Sequence, residues 1–302
     1  MRGLGYVDRM RRLIEAVPNF SEGREGSVLA EIRSAVEAHA RVLDVHADGD
    51  HNRSVFTCVG EPEALVEGLA AGVEAAVRRI DLRRHQGVHP RVGAADVMPI
   101  VRFRAGDPAP RQAALALGER IGALGVPVLG YAELGAGIRP AHYRAGGLDG
   151  LAARLEAGAV APLFGPARLH PTAGAVLLAV REPLVAFNVN LETADVEVAR
   201  RIAAAVRESS GGLPGVQALG MLAGGRAQVS MNLIDLAATP LHVLVGEVVQ
   251  RASAEGVDIH GSELVGLMPA SVAAAAAGAR LHLPGMTAHR LLEVAVVGAL
   301  GE

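Results

Sequence analysis

Strand-like and helix-like segments follow one another in the order strand, helix, strand, strand, helix, strand, and that order runs twice along the chain. In the first round 13–17, 41–45, 54–59 and 97–103 read as strands, and 25–39 and 61–80 as helices. Val28, Leu29, Ile32 and Val36 recur at helical spacing, and Pro62 suits a first helical turn. A helix at 110–124 and a brief strand at 126–129 follow. The stretch 130–161, rich in Gly, Ala and Arg, resists assignment, and 165–174 reads as a loop.

In the second round 175–180 and 184–191 are expected as strands joined by a tight turn at Glu182-Pro183. A helix at 193–207, a hairpin of 216–222 with 227–233, a helix at 240–255 and a strand at 257–260 come next, and two Ala- or Leu-rich helical stretches finish the chain. This is the order of the split βαβ, or ferredoxin-like, unit. The expected fold is α/β (α+β): two ferredoxin-like βαββαβ lobes, each a sheet with helices mainly on one face. The expected domains are 1–180 and 181–302, with the ligand cleft between them. A chain of 302 residues is long enough for both.

Composition then removes whole chemistries. Lys and Arg together number 29, and every one is arginine. A Schiff base, the lysine-bearing phosphate loop and the kinase strand lysine are excluded. Any anion is held by arginine forks, histidine or backbone amides. A net charge of -3, no Trp and 3% aromatics argue against nucleic acid as a partner. The single Cys58 sits in an apolar strand, reads as a structural thiol and suits a reducing cytoplasm. Residues 1–12 lack the apolar stretch of a secretory signal, and no apolar run is long enough for a membrane span.

Four segments can carry chemistry. His89 lies in HQGVHPRVGAADVMP (85–99), where Pro90 favours an extended backbone at His89. Its imidazole can take a proton and return it near neutral pH, or it is a loop histidine bonded to backbone. Arg91, two residues on, can fork a carboxylate. The cluster Asp44, His46, Asp48, Asp50 and His51 can hold a divalent metal, supply an acid/base partner for His89, or form a polar turn leading to Asn52-Arg53. GPARLHPTAG (165–174) offers glycines, prolines and the donors of Arg168 and His170 to a flat ligand, or is a hinge. AFNVNL and SMNLIDL put asparagines in strands, to read ligand amides or to satisfy neighbours.

EAVPNFSEGR (15–24), LDVHADGDHNRSVFTCVG (43–60) and GVHPRVGAADVMP (87–99) resemble glutamate formimidoyltransferase, and FGPARLHPTAG, LVAFNVNL, QVSMNLID and ELVGLMP continue the resemblance in order from about residue 13 onward. It implies transfer of the formimino group from N-formimino-L-glutamate to N5 of tetrahydrofolate, the co-substrate, in histidine degradation. The alternatives are a related folate enzyme using formylglutamate or 5-formyltetrahydrofolate, and a non-catalytic folate-binding protein. The resemblance makes His89 the catalytic acid/base. His46 occupies the position of an aspartate that assists it in animal members. The folate-binding loop falls on Gly165, Pro166, Ala167, Arg168, Leu169, His170, Pro171, Thr172, Ala173 and Gly174. Asn52, Arg53, Arg91 and Gly93 are the expected substrate-binding residues. No metal is implied. The resemblance further implies a cytoplasmic homodimer of the single-function form, without a cyclodeaminase domain, starting at Met1 or Met10.

Overall fold

The computed structural model describes residues 13–292 except 105, together with 294 and 295. The start at Met1 or Met10 and the end of the last helical stretch lie outside them. The described chain divides into two compact units, the first ending at Glu182 and the second beginning at Pro183.

In the first unit, β1 (Ile14–Ala16) and β2 (Asn19–Phe20) form one strand path interrupted at Val17-Pro18. Helix α1 (Gly26–Glu37), the hairpin β3 (Arg41–Asp48) with β4 (Arg53–Gly60), helix α2 (Pro62–Arg79) and β5 (Ala95–Val101) follow. Both β1 and β2 lie between β4 and β5, antiparallel to each, and β3 pairs β4 at the edge. That is the ferredoxin-like arrangement.

The sheet then grows further. Helix α3 (Ala109–Ala123) leads to β6 (Val128–Ala132), and α4 (Pro140–Arg144) and α5 (Gly147–Glu156) lead on to β7 (Val176–Arg181). Strand β7 lies between β5 and β6, parallel to both. The hairpin expected at Glu182-Pro183 is therefore absent, and β7 belongs to the first sheet. The reason is in its residues. Val176 to Val180 are apolar without alternation and buried on both faces, a pattern of parallel strands covered on both sides. Val28, Ile32, Leu65, Leu69, Leu117 and Ile121 from α1 to α3 pack one face against Phe20, Phe56 and Ile100. Tyr143, Leu151 and Leu155 from α4 and α5 pack the other face against Leu129 and Leu177. Helices thus cover both faces at this end, where one covered face is expected from the sequence.

The second unit keeps the expected order. Strand β8 (Val185–Leu191), α6 (Val196–Val206), the hairpin β9 (Val216–Ala223) with β10 (Arg226–Leu233), α7 (Leu241–Ala254) and β11 (Ile259–Val265) build an antiparallel sheet ordered β11-β8-β10-β9. Asp195 caps α6, its side chain accepting from the Glu197 N–H at 2.9 Å. Alternate residues Val185, Val189 and Leu191 with Val229, Met231 and Leu233 face the core. Helix α8 (Ala270–Arg280) follows. No helix of the described residues is long and apolar enough to cross a membrane.

Candidate active site

Strand β5 begins with a buried carboxylate. Asp96 is 0% exposed. Its Oδ2 accepts from Arg53 Nη1 at 2.6 Å and from Arg144 Nη2 at 2.6 Å, and its Oδ1 accepts from the Val92 N–H at 2.7 Å. Burial by itself raises a carboxyl pKa, but Arg144, Arg53 and the Val92 amide overcome it and hold Asp96 well below the carboxylate range. Arg53 enters from β4 and also donates through Nε and Nη2 to Asn19 Oδ1, at 3.1 and 2.8 Å. Arg144 comes from the last residue of α4, and its Nε is buried without a partner.

His89 stands beside this triad and is partly buried. Burial first, then the charges of Arg53 and Arg144, hold its imidazole well below the usual histidine range, with Asp96 opposing. At neutral pH it is an uncharged base.

The His89 segment is fastened to the β3–β4 turn by Arg91. Arg91 Nη2 donates to His51 O at 2.7 Å and Nη1 donates to Asn52 O at 2.8 Å, while Nε and Nη2 hold His89 O at 3.0 and 2.7 Å. Its guanidinium thus grips backbone, and the geometry gives it a scaffold role. Asn52, at φ 45, accepts from Gly23 N at 3.0 Å through Oδ1 and donates to Gln86 O at 2.9 Å. His46 is on β3, partly buried, opposite Val55, two residues from Asp48, which pairs with Arg53. Its side chain therefore shares the sheet face of Arg53.

The 165–174 loop reaches this region through its last residues. Gly93 and Gly174 form an isolated bridge, Ala94 N donates to Ala173 O at 2.9 Å, and Ala175 N donates to Val92 O at 2.8 Å. His170 closes the loop on itself: its N–H donates to Gly174 O at 2.9 Å and its Nδ1 accepts from the Ala173 N–H at 3.1 Å. Ala173 and Gly174 are buried, while Gly165, Ala167, Arg168 and Pro171 are exposed and Pro166, Leu169, His170 and Thr172 partly so. Gly174 sits at φ +68, and a Cβ there would lie 2.1 Å from Val92 O. Gly174→Ala should lower stability by about 1–3 kcal/mol, read as a reduced urea midpoint. An unchanged midpoint would contradict the contact.

The N-terminal subdomain of the formiminotransferase domain matches residues 13–181, and the formiminotransferase domain itself matches 186–284. The chain belongs to the formiminotransferase family.

It is 36% identical over 274 residues to "Glutamate formimidoyltransferase" of Streptococcus pyogenes serotype M1, covering 86% of this chain and 90% of that one. It is also 36% identical over 297 residues to "Glutamate formimidoyltransferase" of Thermoplasma acidophilum, covering 93% and 96%. Against "Formimidoyltransferase-cyclodeaminase" of Sus scrofa it is 40% identical over 277 residues, 86% of this chain but 51% of that protein. Membership makes this chain a transferase.

Within this family member, two residues of the site carry no clear sequence signal. Arg144 lies in the stretch that resists assignment. Asn19 sits in EAVPNFSEGR, whose spacing gives no hint of a bond to Arg53. Cys58 is buried in the first core, and burial, with Glu15 and Glu37, pushes its thiol up to about 12, so it stays a thiol. In the second unit the strand asparagines satisfy neighbours: Asn188 Nδ2 donates to Glu263 Oε2 at 3.0 Å, and Gln228 Nε2 donates to Asn190 Oδ1 at 2.9 Å. Among the described residues there is no group of three or more His, Cys, Asp or Glu placed to hold a metal ion.

Proposed function

We propose that this chain transfers the formimino group of N-formimino-L-glutamate to N5 of tetrahydrofolate, with His89 as the general acid/base. The observation that carries this is the environment of His89: an uncharged imidazole beside two arginines that share one buried carboxylate. His89 accepts the proton that N5 loses as it bonds to the amidine carbon. It returns a proton to the departing glutamate nitrogen. Arg53 and Arg144 place positive charge beside the base, where a glutamate carboxylate can be held; in a lysine-free chain only arginine has the fork for it. The exposed part of the 165–174 loop, with Arg168, is the proposed folate-contacting surface. Side-by-side binding supplies much of the rate.

The test is to mix protein, tetrahydrofolate and formiminoglutamate and follow product absorbance, with formylglutamate in parallel. Transfer from formiminoglutamate supports the reading, and transfer from the formyl donor alone overturns it. A pH dependence follows. A base whose pKa lies below 6.5 stays active through neutral pH. kcat/KM should be flat from pH 7 upward and fall only as pH drops through the lowered value. An acid limb centred at or above pH 7 would contradict it.

Arg144→Ala should raise KM for formiminoglutamate more than it lowers kcat, by roughly tenfold or more, as expected for a lost charge-assisted contact. A loss confined to kcat would remove Arg144 from substrate binding.

A further inference from the structure

His89 is uncharged at neutral pH, so which of its ring nitrogens carries the proton decides whether it can act as a base at the other one. The structure holds an answer in the turn at 48–52. Asp48 Oδ1 accepts from the backbone N–H groups of Asp50 and His51, both at 2.8 Å. Asp48 Oδ2 is then 3.6 Å from His51 Nδ1. Arg91 binds the carbonyls of both His51 and His89, so one guanidinium fixes the two backbones relative to each other. Gly87 presses on the same place, where a Cβ would lie 2.4 Å from His51 O. The two imidazoles stand with centroids 6.1 Å apart and planes inclined by 56°. His51 Nε2 and His89 Nδ1 are both buried, and neither has a hydrogen-bond partner.

Two orphaned ring nitrogens on neighbouring rings are complementary, since each neutral imidazole has one donor and one acceptor. Left unpaired, each is a buried polar atom that has lost its water without a compensating partner. We propose that His51, oriented by Asp48, is the positioning residue of His89: Asp48 draws the Nδ1–H of His51 towards its carboxylate as hydrogen-bond acceptor, and His51 Nε2 accepts the Nδ1–H of His89. His89 is thereby held as the Nδ1–H tautomer, with Nε2 as the working base. With the centroids 6.1 Å apart the two nitrogens stay at least about 3.8 Å apart even when aimed at each other, so a side-chain torsion that carries one ring toward the other closes the gap, as when a site tightens on its substrates. When His89 takes up a proton, its Nδ1–H becomes the stronger donor to His51, and no net transfer to His51 is required. The other titratable and charged groups around His89 are Arg53 from β4, Asp96 from β5, Arg144 from α4, and Arg91 with the titratable His85 on its own segment. Beside these groups, His51 is the neighbouring ring that carries a buried, unpartnered nitrogen of its own.

The role in turnover rests on the reading of His89 as the base, whereas the tautomer does not. The deciding measurement is 15N NMR of the full chain with labelled histidine at pH 8, His89 being assigned by its loss in His89→Gln. The expected result is a His89 ring protonated at Nδ1 in the wild type and shifted towards Nε2 protonation in His51→Ala. A wild-type His89 protonated at Nε2, or a tautomer unmoved by His51→Ala, overturns the proposal whatever the enzyme does. In turnover, His51→Ala should lower kcat roughly 10- to 100-fold with KM little changed. His51→Gln, which carries an amide oxygen as acceptor, should recover most of that loss. Asp48→Asn is the second variant should His51→Ala melt early, and it should show the same tautomer shift in weaker form. Equal damage from Ala and Gln at position 51 would mean a packing role and count against the pair. Should His89→Ala keep full activity, the function reading fails while the tautomer result still judges this pair.

Discussion

His89→Ala leaves the fold intact and lowers transfer turnover by about 10²–10⁴-fold, the range set by one lost general acid/base. The fold survives because the segment is held by its backbone and by Arg91, not by the imidazole. The His89 carbonyl is an acceptor for Arg91, and Val88 N donates to Asp50 O at 3.2 Å, contacts that alanine keeps. Removing a partly buried imidazole with an unpartnered Nδ1 also removes an uncompensated polar atom. Substrate affinity should change little, since the positive charges of Arg53 and Arg144 remain. The measurement is steady-state transfer with formiminoglutamate and tetrahydrofolate, beside a thermal melt of the same preparation. Near-normal kcat in a folded variant would remove His89 from the mechanism.

The second large effect is on stability. Asp96→Ala should cost about 3–5 kcal/mol, because it strands two guanidinium groups beside one another around a buried position. For a unit of this size that is a fall in Tm on the order of 10 °C. The pH dependence has a definite sign. Asp96 has a folded-state pKa below its unfolded value, so its contribution is fully present above the ordinary carboxylate range and is lost as pH falls through the lowered value. The gap between wild type and variant should therefore be constant near neutral pH and shrink only in strong acid. Equal melting temperatures at pH 7 would show that the triad contributes nothing net. Asp96→Ala should also impair turnover, since Arg53 and Arg144 are oriented on that carboxylate.

Much of this was legible in the linear chain. The second unit could be read strand by strand, because its sheet has one apolar face and its residues alternate: Phe187, Val189 and Leu191 face inward, while Asn188 and Asn190 face the other way. The first unit could be read through β5 and on to α3 and β6, which the expected helix at 110–124 and strand at 126–129 anticipate. Beyond them, β7 is apolar at every position from Val176 to Val180, and periodicity then cannot say which sheet receives it. Its parallel place between β5 and β6 depends on a crossover through α4 and α5, in a segment where Gly, Ala and Arg blur the helical signal. The site divides in the same way. His89 and Gly93 stand out by their neighbours Gly, Pro and Arg. Arg144 is 48 residues from the carboxylate it binds, and nothing local marks it.

The sequence by itself determined the alternation of strands and helices, the exclusion of lysine chemistry and the family resemblance, because each is a property of residue type and order. Tertiary structure decided which charges meet. Only when β4, β5 and α4 are assembled do Arg53, Asp96 and Arg144 share one buried point. Only the packing of the 85–91 segment on the β3–β4 turn brings the rings of His51 and His89 together. Burial and charge at that point set the protonation of His89, and neither exists until the chain has folded.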